Sequence, residues 1–326
     1  MRTRRAIVAV LTLLLGGSFT PRAQTPVEVP PAQAPALPAG VSFSHAQWYS
    51  EQVRVAGRLF QPIRAGAGTM PGVVLAPAPG ETASRLDAYG TALAQQGIAA
   101  LAIDYRGWGG SGAKLYLAER VDTYDKFRIS EHTALIARRR GQLDPDHQVQ
   151  DIRNAITYLQ STTGVDPTRI GVIGVALAGG HLVSVMGLDA RVKAGVAVSP
   201  VIPGAGEPKL SHVPDAAALA DMIRLAREGA PPRTEQEARR RNALEARLAL
   251  AEYTPFWRID AVPKTAALRL IVGGHDDRAA ASARAAAQAL GDRASLHALP
   301  DAGARLSRDQ TRAAAADAAA WLKGRL

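Results

Sequence analysis

The length and composition of the chain favour one large folded domain. It has 326 residues, of which 47% are apolar and 21% are charged, and it contains no cysteine. These proportions are typical of globular proteins and argue against a disordered chain. The lack of cysteine excludes disulfide scaffolds, cysteine nucleophiles, iron–sulfur clusters and cysteine zinc sites.

The net charge of +10 is only a weak indication of an anionic macromolecular partner. Four of these charges lie in the first 23 residues, which contain no acid. The remaining arginine clusters, at 138–140 and 239–241, have no interleaved aromatic residues. We interpret them as two isolated, solvated helix faces and expect no nucleic-acid partner.

The N-terminus has the pattern of a cleaved export signal. A basic segment at 1–5, an apolar run at 6–15 and the small residue Ala23 predict a signal peptide over residues 1–23. The apolar run is shorter than the ~20 residues of a membrane span, and no later stretch is long enough. Residues 24–40 contain five prolines and predict a linker. We therefore expect a folded domain over 41–326 in a periplasmic or secreted protein.

The body of the chain alternates short apolar runs with helical patterns. Strands are predicted at 41–48 and 51–60, which form a hairpin, and then at 72–76, 98–103, 169–174, 192–198, 268–272 and 294–299. Helices are predicted at 84–96, at 147–160, from 177 onward, after 272 and at 310–322. This alternation predicts an α/β fold whose mostly parallel, doubly wound sheet is covered on both faces.

One long segment, between Pro200 and Lys264, has no strand signal. Helices are predicted at 215–228 and 234–252, and the second opens with Thr234 and Glu237 in a capping-box pattern. An insertion after a strand's carboxyl end lies where open α/β sheets bind ligands. We interpret residues 201–264 as a lid, and a helical decoration without a gating role stays open as the alternative.

Two motifs resemble those of a known family. Residues 104–111 (DYRGWGGS) and 164–174 (GVDPTRIGVIG) are similar to the D-x-R-G-x-G-x-S signature and the approach to the nucleophile elbow of α/β-hydrolases. The resemblance runs from about residue 41 to the C-terminus and is strongest to the dienelactone-hydrolase and X-prolyl-peptidase-like branches. It implies an α/β-hydrolase fold and a Ser-His-Asp triad that acts on esters or related acyl compounds.

The elbow motif of this resemblance lacks its nucleophile. The pattern G-x-S-x-G corresponds to residues 174–178, where Ala176 occupies the serine position and Ala178 the second glycine. The backbone N–H that follows, that of Leu177, takes the first oxyanion position. The second oxyanion position falls on Pro79, which has no N–H, and a shift of one residue would place Ala78 or Gly80 there.

The other two triad positions follow the later strands. The acid matches Asp276 in the run 273–276 (GGHD), and the histidine position in 299–304 (LPDAGA) is occupied by Ala304. Two of the three triad positions therefore carry alanine. His181, His275 and Ser199 are the nearest candidates to substitute for the missing groups. Local backbone bonding is the favoured explanation of Ser199 and packing that of His181, whereas His275 is equally well explained as a solvated residue at a strand end.

The sequence has no metal-ligand spacing and no phosphate-binding loop in a fitting context, so we expect neither a metal nor a cofactor. Three hypotheses stay open: an impaired hydrolase that binds a small acyl- or ester-like molecule or a partner, an active hydrolase with unconventional groups such as Asp276 with His181 or His275, and an interaction protein of the cell envelope. No oligomeric state is predicted.

Overall fold

A computed structural model describes residues 34–63, 68–117, 133–205 and 234–326, together with residues 220 and 223. The predicted signal peptide, the first part of the linker and most of the predicted helix 215–228 lie outside the described residues. Residues 34–40 of the linker form neither helix nor strand. Within the described residues, no helix combines the length and the apolar character needed to cross a membrane.

The centre of the fold is an eight-stranded sheet. The strands are β1 (Val41–Ser50), β2 (Val53–Pro62), β3 (Met70–Ala76), β4 (Ala99–Asp104), β5 (Leu115–Leu117), β6 (Ile136–Arg138), β7 (Val165–Val175), β8 (Val192–Val198), β9 (Ala267–Gly273) and β10 (Ala294–Leu299). The order in the large sheet is β1-β2-β4-β3-β7-β8-β9-β10, and β5 pairs with β6 in a separate two-stranded sheet. Only the β1–β2 and β2–β4 pairs of the large sheet are antiparallel.

Helices cover both faces of this sheet. They are α1 (Asp87–Gln95), α2 (Pro145–Gln160), α3 (Ala178–Leu188), α4 (Glu235–Glu252), α5 (Asp277–Leu290) and α6 (Arg308–Lys323), with short 3₁₀ helices at Ala83–Leu86, Pro255–Ala261 and Gly291–Arg293. The apolar residues of α2, α3 and α5 form one core cluster, and those of α1 and α6 form a second. The strands between them bury both faces, which explains their uninterrupted apolar sequences.

The predicted strands and helices within the described residues are confirmed to within a few residues at their ends. The helix predicted from 147 begins earlier, at Pro145, because the side chain of Asp144 accepts a hydrogen bond from the His147 N–H at 3.1 Å. The side chain of Thr234 similarly accepts from the Glu237 N–H at 3.2 Å and begins α4.

The motif at 104–111 holds the loop after β4 in place. The carboxylate of Asp104 accepts hydrogen bonds from the backbone N–H groups of Ala83 and Gly110 at 2.7 and 2.8 Å. A side chain at Gly109 would overlap that carboxylate. Arg106 donates to the fully buried Asp151 at 2.7 Å. These contacts explain why the motif indicates a fold and not a substrate.

Candidate functional site

The corner between β7 and α3 has the backbone of a nucleophile elbow. Ala176 lies there with φ = +52°, a conformation that residues with a Cβ rarely adopt. Its N–H donates to the Val198 carbonyl at 2.9 Å, and its carbonyl accepts from the Val201 N–H at 3.0 Å. The neighbouring strand β8 therefore holds the strained conformation in place, although a methyl group cannot attack a carbonyl.

Close packing explains the glycines around this corner. A Cβ at Gly174 would overlap the carbonyl of Ala178, and a Cβ at Gly179 would come within 2.8 Å of the Pro200 side chain. Ala178 itself is buried in the second glycine position. The corner therefore accommodates the methyl group of Ala178, whereas at 174 only glycine fits because it has no Cβ.

The two oxyanion positions lie at the ends of adjacent strands, because Ala76 of β3 pairs with Gly174 of β7. The Leu177 N–H precedes α3 and has no backbone acceptor among the described residues. Residues 78–81 form a turn in which the Glu81 N–H donates to the Ala78 carbonyl at 3.0 Å. Pro79 and Gly80, the latter with φ = +80°, give this turn a type II pattern. Pro79 supplies no N–H to the site.

The loops that carry Asp276 and Ala304 are joined to each other. The Gly274 N–H donates to the Leu299 carbonyl at 2.8 Å, and the His275 N–H donates to the Ala302 carbonyl at 2.9 Å. Asp276 is buried, and its carboxylate accepts from the Ala279 N–H at 3.1 Å, which caps α5. Ala304 is exposed. Asp276 thus has a structural role that does not depend on a histidine.

His181 lies inside the protein, with hydrogen bonds at both ring nitrogens. Its Nδ1 is 2.8 Å from the Tyr253 hydroxyl and its Nε2 is 2.9 Å from the amide oxygen of Gln148. Because an amide oxygen only accepts, Nε2 carries the proton and Nδ1 accepts from Tyr253. Burial lowers the pKa of His181 to about 3, so the ring is neutral. This arrangement ties α2, α3 and the end of α4 together.

The other two candidate substitutes lie in different surroundings. The His275 side chain is exposed, and no hydrogen bond or ion pair joins it to Asp276 in the described part of the chain. Ser199 is buried at the end of β8 with φ = +43°, and its hydroxyl has no hydrogen-bond partner among the described residues. No sequence signal indicates the strain at Ser199, which follows the strand beside the elbow.

Comparison with known proteins agrees with this geometry. The model of the alpha/beta hydrolase family matches residues 73–318. The chain belongs to this family. The predicted resemblance to α/β-hydrolases and the predicted fold class are therefore confirmed.

Individual relatives of this alpha/beta hydrolase are distant. It is 33% identical over 85 residues to "Thiohydrolase aneE" of Aspergillus aculeatus, which covers 26% of each chain. A hypothetical protein from Pseudomonas aeruginosa has a TM-score of 0.66 at 18% identity, covering 89% of this chain and 96% of the other. Dienelactone hydrolase from Anabaena variabilis has a TM-score of 0.54 at 16% identity, covering 88% and 99%. The structural likenesses show the fold alone.

A large cavity is lined by none of the residues that match the family's triad and oxyanion positions. It has a volume of about 900 Å³ and lies between the segment that follows β6 and the helix α4. The second arginine cluster does lie on a helix, α4, with Arg239 and Arg240 exposed, but the first lies at the end of strand β6 and after it. The interpretation of the clusters as isolated is wrong, since Arg138, Arg139, Arg140, Arg239 and Arg241 all line this one cavity. The clusters are separated by about a hundred residues in the sequence, and only the folded chain brings them together.

Proposed function

We propose that this alpha/beta hydrolase is catalytically impaired and that it binds a small acyl- or ester-like molecule at the framework of its former active site. The observation that carries the proposal is the strained corner at Ala176, whose backbone matches a nucleophile elbow while its side chain is inert. We further propose that the protein is exported to the periplasm or secreted, on the pattern of residues 1–23.

The energetics of a triad support the proposed impairment. Nucleophile, base and acid act as a unit, so losing the nucleophile or the base costs about as much as losing all three. The residual rate, roughly 10³–10⁴ over water, comes from the oxyanion hole and from substrate binding. Pro79 removes one oxyanion donor, which typically costs a further factor of about 10²–10³. Asp276 caps α5, so its presence is explained without catalysis.

Names among similar proteins support the proposed ligand class. A curated relative is named a thiohydrolase and a similar structure is a dienelactone hydrolase. The chain covers only 26% of that curated relative, so the ligand class is proposed for this chain and rests on the family framework.

The alternative is an active hydrolase that uses an unconventional nucleophile. The observation that favours it is Ser199, whose buried hydroxyl lacks a partner in the described chain and whose backbone is strained beside the elbow. This alternative also requires a general base that accepts the proton of the Ser199 hydroxyl. Both ring nitrogens of His181 are hydrogen-bonded, and no hydrogen bond or ion pair joins the side chains of His275 and Asp276 in the described part of the chain.

An ester-hydrolysis assay separates the two readings. The chain without residues 1–23 is assayed against short p-nitrophenyl esters beside Ala176→Ser/Ala304→His, with Ala176→Ser alone as the matched control. We expect the parent and the single variant to be silent and the double variant to turn over ester. Parent activity that Ser199→Ala abolishes would establish the alternative instead.

A further inference from the structure

The cavity beside α4 has the size and lining of a small-molecule site. Its volume of about 900 Å³ falls within the roughly 300–1,000 Å³ of typical ligand pockets. Its apolar lining includes Trp108, Tyr116 and Leu143 together with the alanines at 238, 243 and 246 of α4. None of the triad and oxyanion positions lines it. Binding here therefore does not depend on the function proposed above.

Among the described residues that line this cavity, arginines outnumber acids. Five of these residues are arginines, and the described acids that bind them are Glu235 and Glu245. Glu245 accepts from both Arg139 and Arg241, and Glu235 accepts from Arg239 at 2.6 Å. Arg138 is exposed and has no hydrogen bond or ion pair with any described residue. Such a surplus of guanidinium groups favours an anion in the cavity.

Two lining residues carry buried polar atoms without partners. Arg139 is buried over the ring of Tyr116, 5.4 Å from its centroid, and its Nε–H has no acceptor among the described residues. Asn242 donates through Nδ2 to the Arg140 carbonyl at 2.7 Å, while its Oδ1 lacks a donor. Buried polar groups are normally hydrogen-bonded, so these two unpaired atoms are exceptional features of the wall of the cavity.

The arginine segment is held rigidly before any ligand arrives. Arg140 donates to the carbonyls of Ser111 and Gly109 at 2.9 and 2.5 Å, and the Gly141 N–H donates to the Gly107 carbonyl at 3.1 Å. Burial, and after it the charge of Arg138, lowers the pKa of Arg140. Cations held this close together repel one another, and a bound anion would relieve that repulsion.

We propose that this cavity binds a small organic anion whose carboxylate or phosphate group meets the arginines and whose apolar body packs on Trp108 and Leu143. The planar guanidinium fork pairs with either head group through two parallel hydrogen bonds. The apolar lining accounts for the body of the ligand, and the arginines account for its charge.

Isothermal titration calorimetry on the full chain tests this proposal with four probes. Octanoate and octyl phosphate supply the two head groups on one apolar body, octanamide is the neutral match, and inorganic phosphate lacks the body. We expect one saturable site for at least one octyl anion, with octanamide and inorganic phosphate each weaker by about tenfold or more. The tighter of the two octyl anions identifies the head group.

Two adjacent residues of α4 provide a matched pair of variants. Arg239 lines the cavity and Arg240 does not, and both are exposed. Arg239→Gln and Arg138→Gln should each weaken binding by about three- to tenfold, while Arg240→Gln should leave it within about twofold. Circular dichroism melts confirm that each variant is folded.

Three results would overturn the proposal. They are the absence of saturable binding by both octyl anions, binding of octanamide as tight as that of the tighter octyl anion, and a loss in Arg240→Gln as large as that in Arg239→Gln. The third would mean that net charge alone attracts the probe.

Discussion

The corner at Ala176 and the cavity beside α4 retain different parts of a binding site. At the corner the backbone is strained and tightly packed, but the side chains at 176 and 304 carry no reactive atom. At the cavity the chain holds five arginines, one with an unpaired buried N–H, on ordinary backbone. The backbone of an elbow can therefore persist because the fold packs around it, whereas arginines clustered at a cavity are explained by the binding of an anion.

The substitution with the largest predicted loss of stability lies at the corner between β7 and α3. Gly174→Ala would push a methyl group into the Ala178 carbonyl and should lower the free energy of unfolding by about 3 kcal/mol or more. Urea unfolding measures the change. Gly303→Ala is the control, since a Cβ there meets nothing within 4 Å, and an equal loss in both variants would show that the corner is not tightly packed.

The second effect concerns the oxyanion position at Pro79. In the background Ala176→Ser/Ala304→His, adding Pro79→Ala supplies an N–H and should raise ester turnover by roughly 10²-fold. In the parent the same substitution should change nothing, because no nucleophile is present. A rate that does not rise in the restored background would place the second donor at another residue of the turn.

The third effect is a pH dependence of stability from His181. Burial lowers its pKa from 6.5 to about 3, so below pH 6.5 the unfolded chain binds a proton that the native ring does not. The full stability is present above pH 6.5 and is lost progressively as the pH falls toward 3. From pH 7 to pH 5 the free energy of unfolding should fall by about 2 kcal/mol.

Urea unfolding at the two pH values measures this loss. The parent and His275→Gln should show it, because the latter changes only an exposed ring. His181→Gln should show a loss smaller by about 2 kcal/mol. An unchanged pH dependence in His181→Gln would mean that the ring titrates normally in the folded protein.

The substitution with the smallest predicted effect measures the free-energy cost of the strained backbone at Ala176. Ala176→Gly removes the Cβ that disfavours φ = +52° and should stabilise the protein by about 1 kcal/mol after the entropy cost of glycine. Ala178→Gly, at the first residue of α3 and without strain to relieve, should destabilise it by up to about 1 kcal/mol. Thermal unfolding compares the two, and destabilisation by both would contradict the account of strain.

The sequence was most informative where structure depends on neighbouring residues. Short apolar runs predicted the strands, and the motif at 174–178 predicted the position of the elbow, because both signals are local. The arginine cavity was missed because it joins segments about a hundred residues apart. The strain at Ser199 and the bonds of His181 to Gln148 and Tyr253 were missed for the same reason, since they depend on packing between distant elements.

The most direct test of the impairment is covalent labelling with a fluorophosphonate probe, which reacts with activated serines, followed by mass spectrometry of the peptides. We predict that the parent chain stays unlabelled and that Ala176→Ser/Ala304→His is labelled at position 176. Labelling of the parent at Ser199, or at any other serine, would contradict it and identify the nucleophile of an active hydrolase.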